Sequence, residues 1–181
     1  MKIAEINDLP LESLVERLGG IYEHSPWVIE RAAAGRPFVD LTALICAMRE
    51  SVEQASPAEQ RDLICAHPDL AGKLARAGQL TDDSTREQSG LGLDQLSDEE
   101  FVCFENLNAA YREKFGMPFI ICARMTTKSK MLQAFRDRLL NDQSTECETA
   151  LREIHHIARL RLEDRFITIK CASRSPNQRH L

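Results

Sequence analysis

Three polar groups in this sequence occupy positions that local structure does not explain, and each could take part in chemistry. The first is His67, which precedes Pro68 and Asp69. Proline disfavours the α conformation in the residue before it, so we expect His67 at the extended end of one helix and Asp69 at the cap of the next. An imidazole fixed at such a corner can exchange protons near neutral pH. Alternatively, His67 only bonds the last carbonyl groups of the preceding helix.

The second group lies in a polar stretch from Thr81 to Gly90. Ser84 and Glu87 have the spacing of a capping box, which would make Glu87 a local structural residue. Gln88, a serine and a glycine follow the box instead of an apolar run, so any helix here is about two turns long. Because so short a helix gives little reason for a carboxylate beside an amide, Glu87 and Gln88 are also candidates for acid–base and binding chemistry.

The third group is Arg161, which falls on the apolar side of the last predicted helix. At about 100° per residue, the apolar arc of this helix comprises Ala150, Leu151, Ile154, Ile157, Ala158 and Leu162. A buried guanidinium without a partner is costly, so Arg161 either reaches the helix edge or pairs with an anionic group. Its planar fork suits a carboxylate or a ureido carbonyl. Arg165 lies near the same arc, so a purely structural ion pair stays an alternative.

Two other segments contain groups that could bind a metal ion or a polar ligand. The adjacent His155 and His156 diverge by about 100° on a helix and cannot bind one metal ion together, so we place them on the surface. The run from Gly116 to Cys122 is apolar, β-branched and interrupted by Pro118. We predict an extended segment at 117–122, whose backbone N–H and C=O groups could bind a polar ligand.

The elements that must position these residues are helical throughout. Alternating strand patterns are absent, and helix start and stop signals recur along the whole chain, so the predicted fold is an all-α, single-domain multi-helix bundle. We expect one helical domain over 1–170 and a polar C-terminal tail over 171–181. The predicted helices span about 10–19, 26–35, 40–55, 57–66, 69–77, 98–116, 127–140 and 144–166, and capping boxes begin those at 57 and 98.

Composition excludes several classes of function. The 181 residues are 43% hydrophobic and 28% charged with a net charge of −5, which is typical of a globular domain and provides no basic surface for nucleic acid. The N-terminal residues lack a secretory pattern and no apolar run reaches about 18 residues, so we expect a cytoplasmic protein without membrane contact. The six cysteines include no C-x-x-C pair, so we expect reduced thiols and no structural metal.

Four motifs connect these residues along the chain. In order, they are His67-Pro68-Asp69-Leu70-Ala71, then Ser84-x-x-Glu87-Gln88 with Gly92-Leu93, then Leu107-Asn108-x-x-Tyr111-x-x-x-Phe115-Gly116-x-Pro118-Phe119, and Ile157-Ala158-x-x-Arg161-Leu162. From about Leu9 to Leu162 the chain resembles the 2-oxo-4-hydroxy-4-carboxy-5-ureidoimidazoline (OHCU) decarboxylase family of urate breakdown. This resemblance implies an all-α homodimer that needs no cofactor and no metal and converts its small-molecule substrate, OHCU, to (S)-allantoin and carbon dioxide.

The resemblance also implies roles for particular residues. The family's catalytic histidine and glutamate correspond to His67 and Glu87. Its substrate contacts correspond to Pro68, Ser84, Gln88 and Arg161, together with backbone groups of Phe119, Ile120 and Ile121. Met117 stands where many members have phenylalanine, which affects only local packing.

The chemistry of such a substrate explains why no cofactor is needed. The carbon that carries the carboxylate also carries a hydroxyl and adjoins a C=N bond, so the substrate itself can accept the electrons released with carbon dioxide. We expect His67 to take the hydroxyl proton and Glu87 to orient His67 or share the transfer. Arg161 and Gln88 would hold the ureido and ring oxygens.

Two other functions stay open from the residues alone. A metal-assisted hydrolase could use His67 with Asp69, Glu87 or His155, although their spacing matches no known ligand triad. A non-catalytic helical interaction module would instead expose an apolar helix face, and its polar residues would surround no enclosed pocket.

Overall fold

The fold is all-α, as predicted. The computed structural model describes residues 1–72 and 77–172, with side chains up to residue 166, and within these ranges it contains nine α-helices and no strand. The helices are α1 (Ile3–Asp8), α2 (Leu11–Leu18), α3 (Trp27–Ala32), α4 (Leu41–Glu53), α5 (Pro57–Cys65), α6 (Asp82–Ser89), α7 (Asp98–Phe115), α8 (Lys128–Arg138) and α9 (Gln143–Ala172). Two short 3₁₀ turns lie at Ala33–Gly35, after α3, and at Ala123–Met125, between α7 and α8. No described helix has the length and apolar character needed to cross a membrane.

Capping side chains begin the helices that carry and support the site. Ser56 and Glu59 form the predicted capping box of α5: the Glu59 N–H donates to Ser56 Oγ at 3.3 Å, and the Ser56 N–H donates to Glu59 Oε2 at 2.9 Å. At α6 the prediction of Ser84 as the cap is wrong. Thr81 is the N-cap, because its Oγ1 accepts from the Ser84 N–H at 3.3 Å. Ser84 therefore lies inside α6, where its side chain is buried.

The core is one connected cluster of buried apolar side chains from Ile6 to Leu162. Helix α9 contributes buried side chains from Ala150 to Leu162 to this cluster and packs against α4 and α5. Most of the apolar arc of α9 is buried as predicted, and only Leu151 stays partly exposed. The predicted extended segment at 117–122 is confirmed: it follows Gly116 without helical structure and buries Met117, Phe119 and Ile120. This segment connects α7 to the 3₁₀ turn at Ala123–Met125.

Several boundaries differ from the prediction. The short helix α1 was missed, and α9 continues to Ala172, beyond the predicted end near Phe166. Asp69 does not begin a helix, since residues 69–72 are non-helical and its carboxylate accepts from Arg112 Nε at 2.9 and 3.0 Å. The rest of the helix predicted at 69–77 falls partly on residues 73–76, outside the described ranges, as does the predicted tail from 173 onward.

The placement of His155 and His156 on the surface is only partly right. Both are half-buried, and the hydroxyl of Tyr22 lies 2.9 Å from Nδ1 of His155. Burial lowers the pKa of His155 to about 4, with a further contribution from Arg49. The imidazole of His155 is therefore neutral at pH 7 and forms part of the packing between α9 and the loop after α2.

Candidate active site

His67 lies just past the end of α5, and its two ring nitrogens have different environments. Nδ1 is 2.9 Å from the carbonyl oxygen of Leu63, in the last turn of α5. A carbonyl only accepts, so Nδ1 carries the proton and Nε2 has the lone pair. Nε2 is buried and has no hydrogen-bond partner among the described residues. The helix-capping alternative is thus true of one nitrogen, and the other is free to act as a base.

Burial also determines the charge of His67. The side chain is only 6% exposed, and removal from water is the main cause that lowers its pKa, while the bond to Leu63 and the charge of Glu23 act in the opposite direction. The imidazole is therefore neutral at pH 7. A neutral imidazole whose lone pair is not used in a hydrogen bond can take a proton, which is what a general base must do.

Arg161 is buried and pairs with two carboxylates, which is the second of the two arrangements that the sequence left open. Its Nε and Nη2 donate to the two oxygens of Glu87, each at 2.8 Å, and its Nη1 donates to Glu23 Oε2 at 2.7 Å. Nη2 also donates to Ser84 Oγ at 3.2 Å. Burial opposes the charge of Arg161, but the two carboxylates outweigh it and raise the pKa of the guanidinium above its ordinary value. Arg161 is therefore permanently charged and its fork is bidentate to Glu87.

Glu23 is a buried charged residue of the candidate site that the sequence analysis did not identify. It lies in the loop between α2 and α3, is 2% exposed, and accepts from Thr81 Oγ1 at 2.6 Å and Ser84 Oγ at 3.0 Å as well as from Arg161. Burial raises the pKa of its carboxyl, but Arg161 and Thr81 outweigh burial, so the net pKa is lowered and Glu23 is ionised. The only signal in the sequence is an acidic residue that directly follows the apolar pair Ile21 and Tyr22.

Glu87 does not orient His67 in this structure. The Glu87 carboxylate is held by Arg161, the His67 ring is held by Leu63, and the negative charge that acts most on His67 belongs to Glu23. Gln88 instead fixes the turn that follows His67, because its Oε1 accepts from the Ala71 N–H at 3.0 Å. Ala71 has a φ of 51°, a left-handed conformation that a non-glycine residue adopts only when it is held in place.

All nine predicted site residues line one pocket of about 40 Å³. They are His67, Pro68, Ser84, Glu87, Gln88, Phe119, Ile120, Ile121 and Arg161. An open cleft of about 1170 Å³ shares Glu87 and Arg161 with this pocket, and a cavity of about 470 Å³ shares His67 and Pro68. The convergence of these residues on one pocket is what an enzyme requires.

The extended segment forms one wall of the pocket, and residues outside the pocket hold this segment in place. Arg138 Nη1 donates to the carbonyl oxygen of Ile120 at 2.6 Å, and the N–H of Cys122 donates to Glu153 Oε2 at 2.8 Å. Some backbone groups of this segment, which we expected to be available to a polar ligand, are thus already engaged. No three or more His, Cys, Asp or Glu side chains within the described ranges are grouped so that they could hold a metal ion.

Fold and site together define an all-helical protein with a neutral imidazole base, a carboxylate and a buried arginine around one small pocket. Residues 7–163 match the family model described as OHCU decarboxylase, and the chain belongs to this family. A Haloferax volcanii protein named 2-oxo-4-hydroxy-4-carboxy-5-ureidoimidazoline decarboxylase is 42% identical over 92% of this chain and 96% of its own length.

Two solved structures show the same fold. A structure described as (S)-allantoin synthase superimposes with a TM-score of 0.72 at 30% identity, over 91% of this chain and 54% of that one. A structure of OHCU decarboxylase in the presence of (S)-allantoin superimposes with a TM-score of 0.64 at 25% identity, over 77% of this chain and 90% of that one.

Proposed function

We propose that this protein decarboxylates OHCU to (S)-allantoin in urate catabolism. The family membership and the names of the relatives support this reaction, and so does the similarity to a structure with (S)-allantoin present. The observation that carries the proposal is the unpartnered Nε2 of His67 in a pocket that also contains Glu87 and Arg161. This nitrogen can accept the proton that the reaction must move.

The proposed reaction balances without an external electron acceptor. His67 Nε2 takes the proton of the substrate hydroxyl as the carboxylate leaves as carbon dioxide. The bonding pair left behind forms a C=C bond to the neighbouring carbon, and the electrons of the adjoining C=N bond move to nitrogen, which takes up one proton. Of the two protons that this nitrogen and the neighbouring carbon gain in all, one is the former hydroxyl proton and one comes from water. The neighbouring carbon then gains a proton on one face while the former hydroxyl becomes a carbonyl. Protonation on one face gives the (S) product.

Glu87 and Arg161 act as a unit in this proposal. The assigned donors of Arg161 are bonded to Glu87, Glu23 and Ser84, so a substrate oxygen reaches the guanidinium only by replacing one of these partners. Arg161 therefore first serves to hold the Glu87 carboxylate at the pocket wall.

The dimensions of the pocket add a condition. A volume of about 40 Å³ holds a few water molecules, whereas ligand pockets measure roughly 300–1,000 Å³. We propose that the substrate occupies the pocket together with the adjoining cleft, so that its reacting carbons lie against His67 and the rest of the molecule extends past Glu87. Pro68, Gln88 and the backbone of Phe119, Ile120 and Ile121 then form the remaining contacts.

The proposal further includes a cytoplasmic homodimer that works without a cofactor, as the family resemblance implies. Light scattering coupled to size-exclusion chromatography tests the dimer. Activity that survives exhaustive chelation is the expected result for a cofactor-free enzyme, and loss of activity that a divalent metal restores would favour the metal-assisted alternative.

Circular dichroism of freshly generated OHCU tests the function directly, because spontaneous decay gives racemic allantoin and the enzyme gives one enantiomer. We expect wild-type protein to produce the (S) signal and the His67→Gln variant to be slower by about 10²–10⁴-fold, the usual contribution of a general base. His156→Gln is the matched control, since it changes a half-buried histidine on α9 that does not line the pocket. A folded His67→Gln variant with the control's rate would refute the assignment.

A further inference from the structure

A buried ion pair between Arg138 and Glu146 lies directly behind the pocket wall formed by the extended segment. We propose that Arg138, held by Glu146, is a positioning residue that turns the N–H of Ile121 toward the pocket, where it binds an oxygen of the substrate. This inference rests on the proposed decarboxylase function and adds to it a pair of residues outside the pocket.

Arg138 holds the segment at two consecutive residues. Its Nη1 donates to the carbonyl of Ile120 at 2.6 Å, and its Cζ lies 4.3 Å from the centre of the Phe119 ring. Phe119 stacks in turn on Phe135, with ring centroids 3.7 Å apart. A charge-assisted hydrogen bond and a cation–π contact thus fix both the position and the rotation of the backbone at Phe119 and Ile120.

Glu146 keeps Arg138 in this position. Its carboxylate is completely buried and accepts from Arg138 Nε at 2.8 Å and from Arg138 Nη2. It also accepts from the hydroxyl of Tyr111, and from Asn141 Nδ2 at 2.8 Å. Burial raises the pKa of Tyr111 above its ordinary value, so its hydroxyl stays a donor. The network joins α7, α8, the turn after α8 and α9 behind one peptide of the pocket wall.

The orientation of the Ile120–Ile121 peptide connects this network to the pocket. The Ile120–Ile121 bond is trans, so the carbonyl of Ile120 and the N–H of Ile121 point in opposite directions. Arg138 lies outside the pocket, whereas both isoleucines line it. With the carbonyl held outward by Arg138, the N–H of Ile121 is directed to the pocket side, and no described residue accepts from it.

The next peptide, between Ile121 and Cys122, is held with its N–H turned away from the pocket. The N–H of Cys122 donates to Glu153 Oε2 on α9 at 2.8 Å, away from the pocket. In an extended chain successive N–H groups alternate in direction, so this bond also favours an inward N–H at Ile121. A stabilising role alone accounts poorly for Arg138 and Glu146, because a buried ion pair often contributes no more stability than apolar side chains of the same volume.

The test compares Arg138→Met with Arg136→Met, which removes an exposed arginine from the same helix. We measure kcat, KM and the enantiomeric excess of allantoin, with enzyme concentrations adjusted so that all samples convert OHCU at the same rate. A displacement of about 1 Å at a reacting group costs roughly 10²-fold. We therefore expect Arg138→Met to lower kcat 10- to 100-fold with little change in KM and to lower the enantiomeric excess, and Arg136→Met to match wild type.

Two further variants separate positioning from folding. Arg138→Lys keeps the charge but can reach only one of its two partners, so we expect an intermediate kcat and enantiomeric excess. Glu146→Gln keeps the size of the side chain and an oxygen that accepts from Arg138, but removes the charge. It provides the test of the positioning role if Arg138→Met does not fold. We expect it to lower kcat several-fold and the enantiomeric excess in the same direction.

The outcomes distinguish the inference from the function on which it rests. If wild type and Arg136→Met both fail to accelerate OHCU decay, the proposed function fails and the inference fails with it. If wild type is active and the folded Arg138 and Glu146 variants equal Arg136→Met, only the positioning role is refuted. A loss of rate with unchanged enantiomeric excess at matched conversion would show that the variants merely contain fewer folded molecules, which also refutes it.

Discussion

His67 combines two roles that the sequence presented as alternatives. Its position before Pro68 lets Nδ1 return to the carbonyl of Leu63, and this bond selects the tautomer that leaves Nε2 as an acceptor. The same backbone carbonyl prevents the ring from rotating. A capping bond therefore prepares the base for proton transfer and does not compete with it.

The pH dependence of kcat/KM follows from the environment of His67. Burial is the main cause that lowers its pKa, so the ring stays neutral until the pH falls well below the ordinary value of 6.5. We expect kcat/KM to be level through neutral pH and to fall on the acid side with a midpoint below 6.5. The residual activity of His67→Gln should lack this acid limb. A midpoint at or above 6.5 would contradict the buried, neutral base.

Arg161 is expected to contribute to stability as well as to binding. In Arg161→Met the carboxylates of Glu23 and Glu87 lose the cation that they share, and removing one partner of a buried ion pair costs about 3–5 kcal/mol of unfolding free energy. Urea denaturation measures the loss. Arg159→Met is the control, since its pair with Glu163 is partly exposed and lies at i,i+4 on one helix, where such pairs are worth about 0.3–0.5 kcal/mol.

A double variant checks the cause of that loss. Adding Glu23→Gln to Arg161→Met removes one of the two uncompensated charges, so part of the lost stability should return. If the double variant is less stable than Arg161→Met by the full cost of Glu23→Gln alone, the two residues are not coupled and the ion-pair explanation is wrong.

At the scale of helices, local chemistry predicted most boundaries and failed where a distant partner decides. The capping boxes at Ser56 and Ser97 need only neighbours in sequence, and both are present. Periodicity alone placed Arg161 on the apolar side of α9, but it did not decide between an edge position and a buried ion pair. Glu23 could not be predicted, because its burial depends on Arg161, 138 residues away. The cap of α6 was misplaced because two hydroxyl residues compete there and only the inward contacts of Ser84 decide between them.

The junction between α7 and the extended segment depends on Gly116. Its φ is +63°, and a Cβ there would come within 2.7 Å of Arg61 Nη2. The arginine end can move, but the left-handed backbone costs a non-glycine residue about 1–2 kcal/mol. We expect Gly116→Ala to lower the unfolding free energy by this amount in urea denaturation. Gly20→Ala, where no atom lies within 4 Å, should have a much smaller effect, and equal losses would refute the argument.

At the scale of the whole molecule, buried histidines make folding sensitive to acid. The unfolded chain binds a proton at His155 below about pH 6.5, whereas the folded protein does so only near its lowered pKa of about 4. Stability therefore rises with pH in this window and is lost as the pH falls through it. The lowered pKa of Glu23 adds its own loss only below its ordinary value of 4.5.

His155→Gln tests this linkage without touching the pocket. Wild type should lose unfolding free energy between pH 7 and pH 5, and the variant should lose less, by on the order of 1–2 kcal/mol. The measurement is urea denaturation at both pH values, with His156→Gln as the control. An identical pH dependence in wild type and His155→Gln would exclude His155 as a source of the acid sensitivity.

The ion cluster around Arg161 also determines when during folding the protein becomes active. It joins the loop at Glu23, helix α6 and helix α9, across sequence separations of 138 and 74 residues. Contacts this distant in sequence form late, since long loops must close first. A nascent chain that has not yet released residue 161 from the ribosome contains two acidic side chains without their cation. Completion of the pocket therefore reports completion of the whole fold, and no helical fragment of the chain should catalyse the reaction.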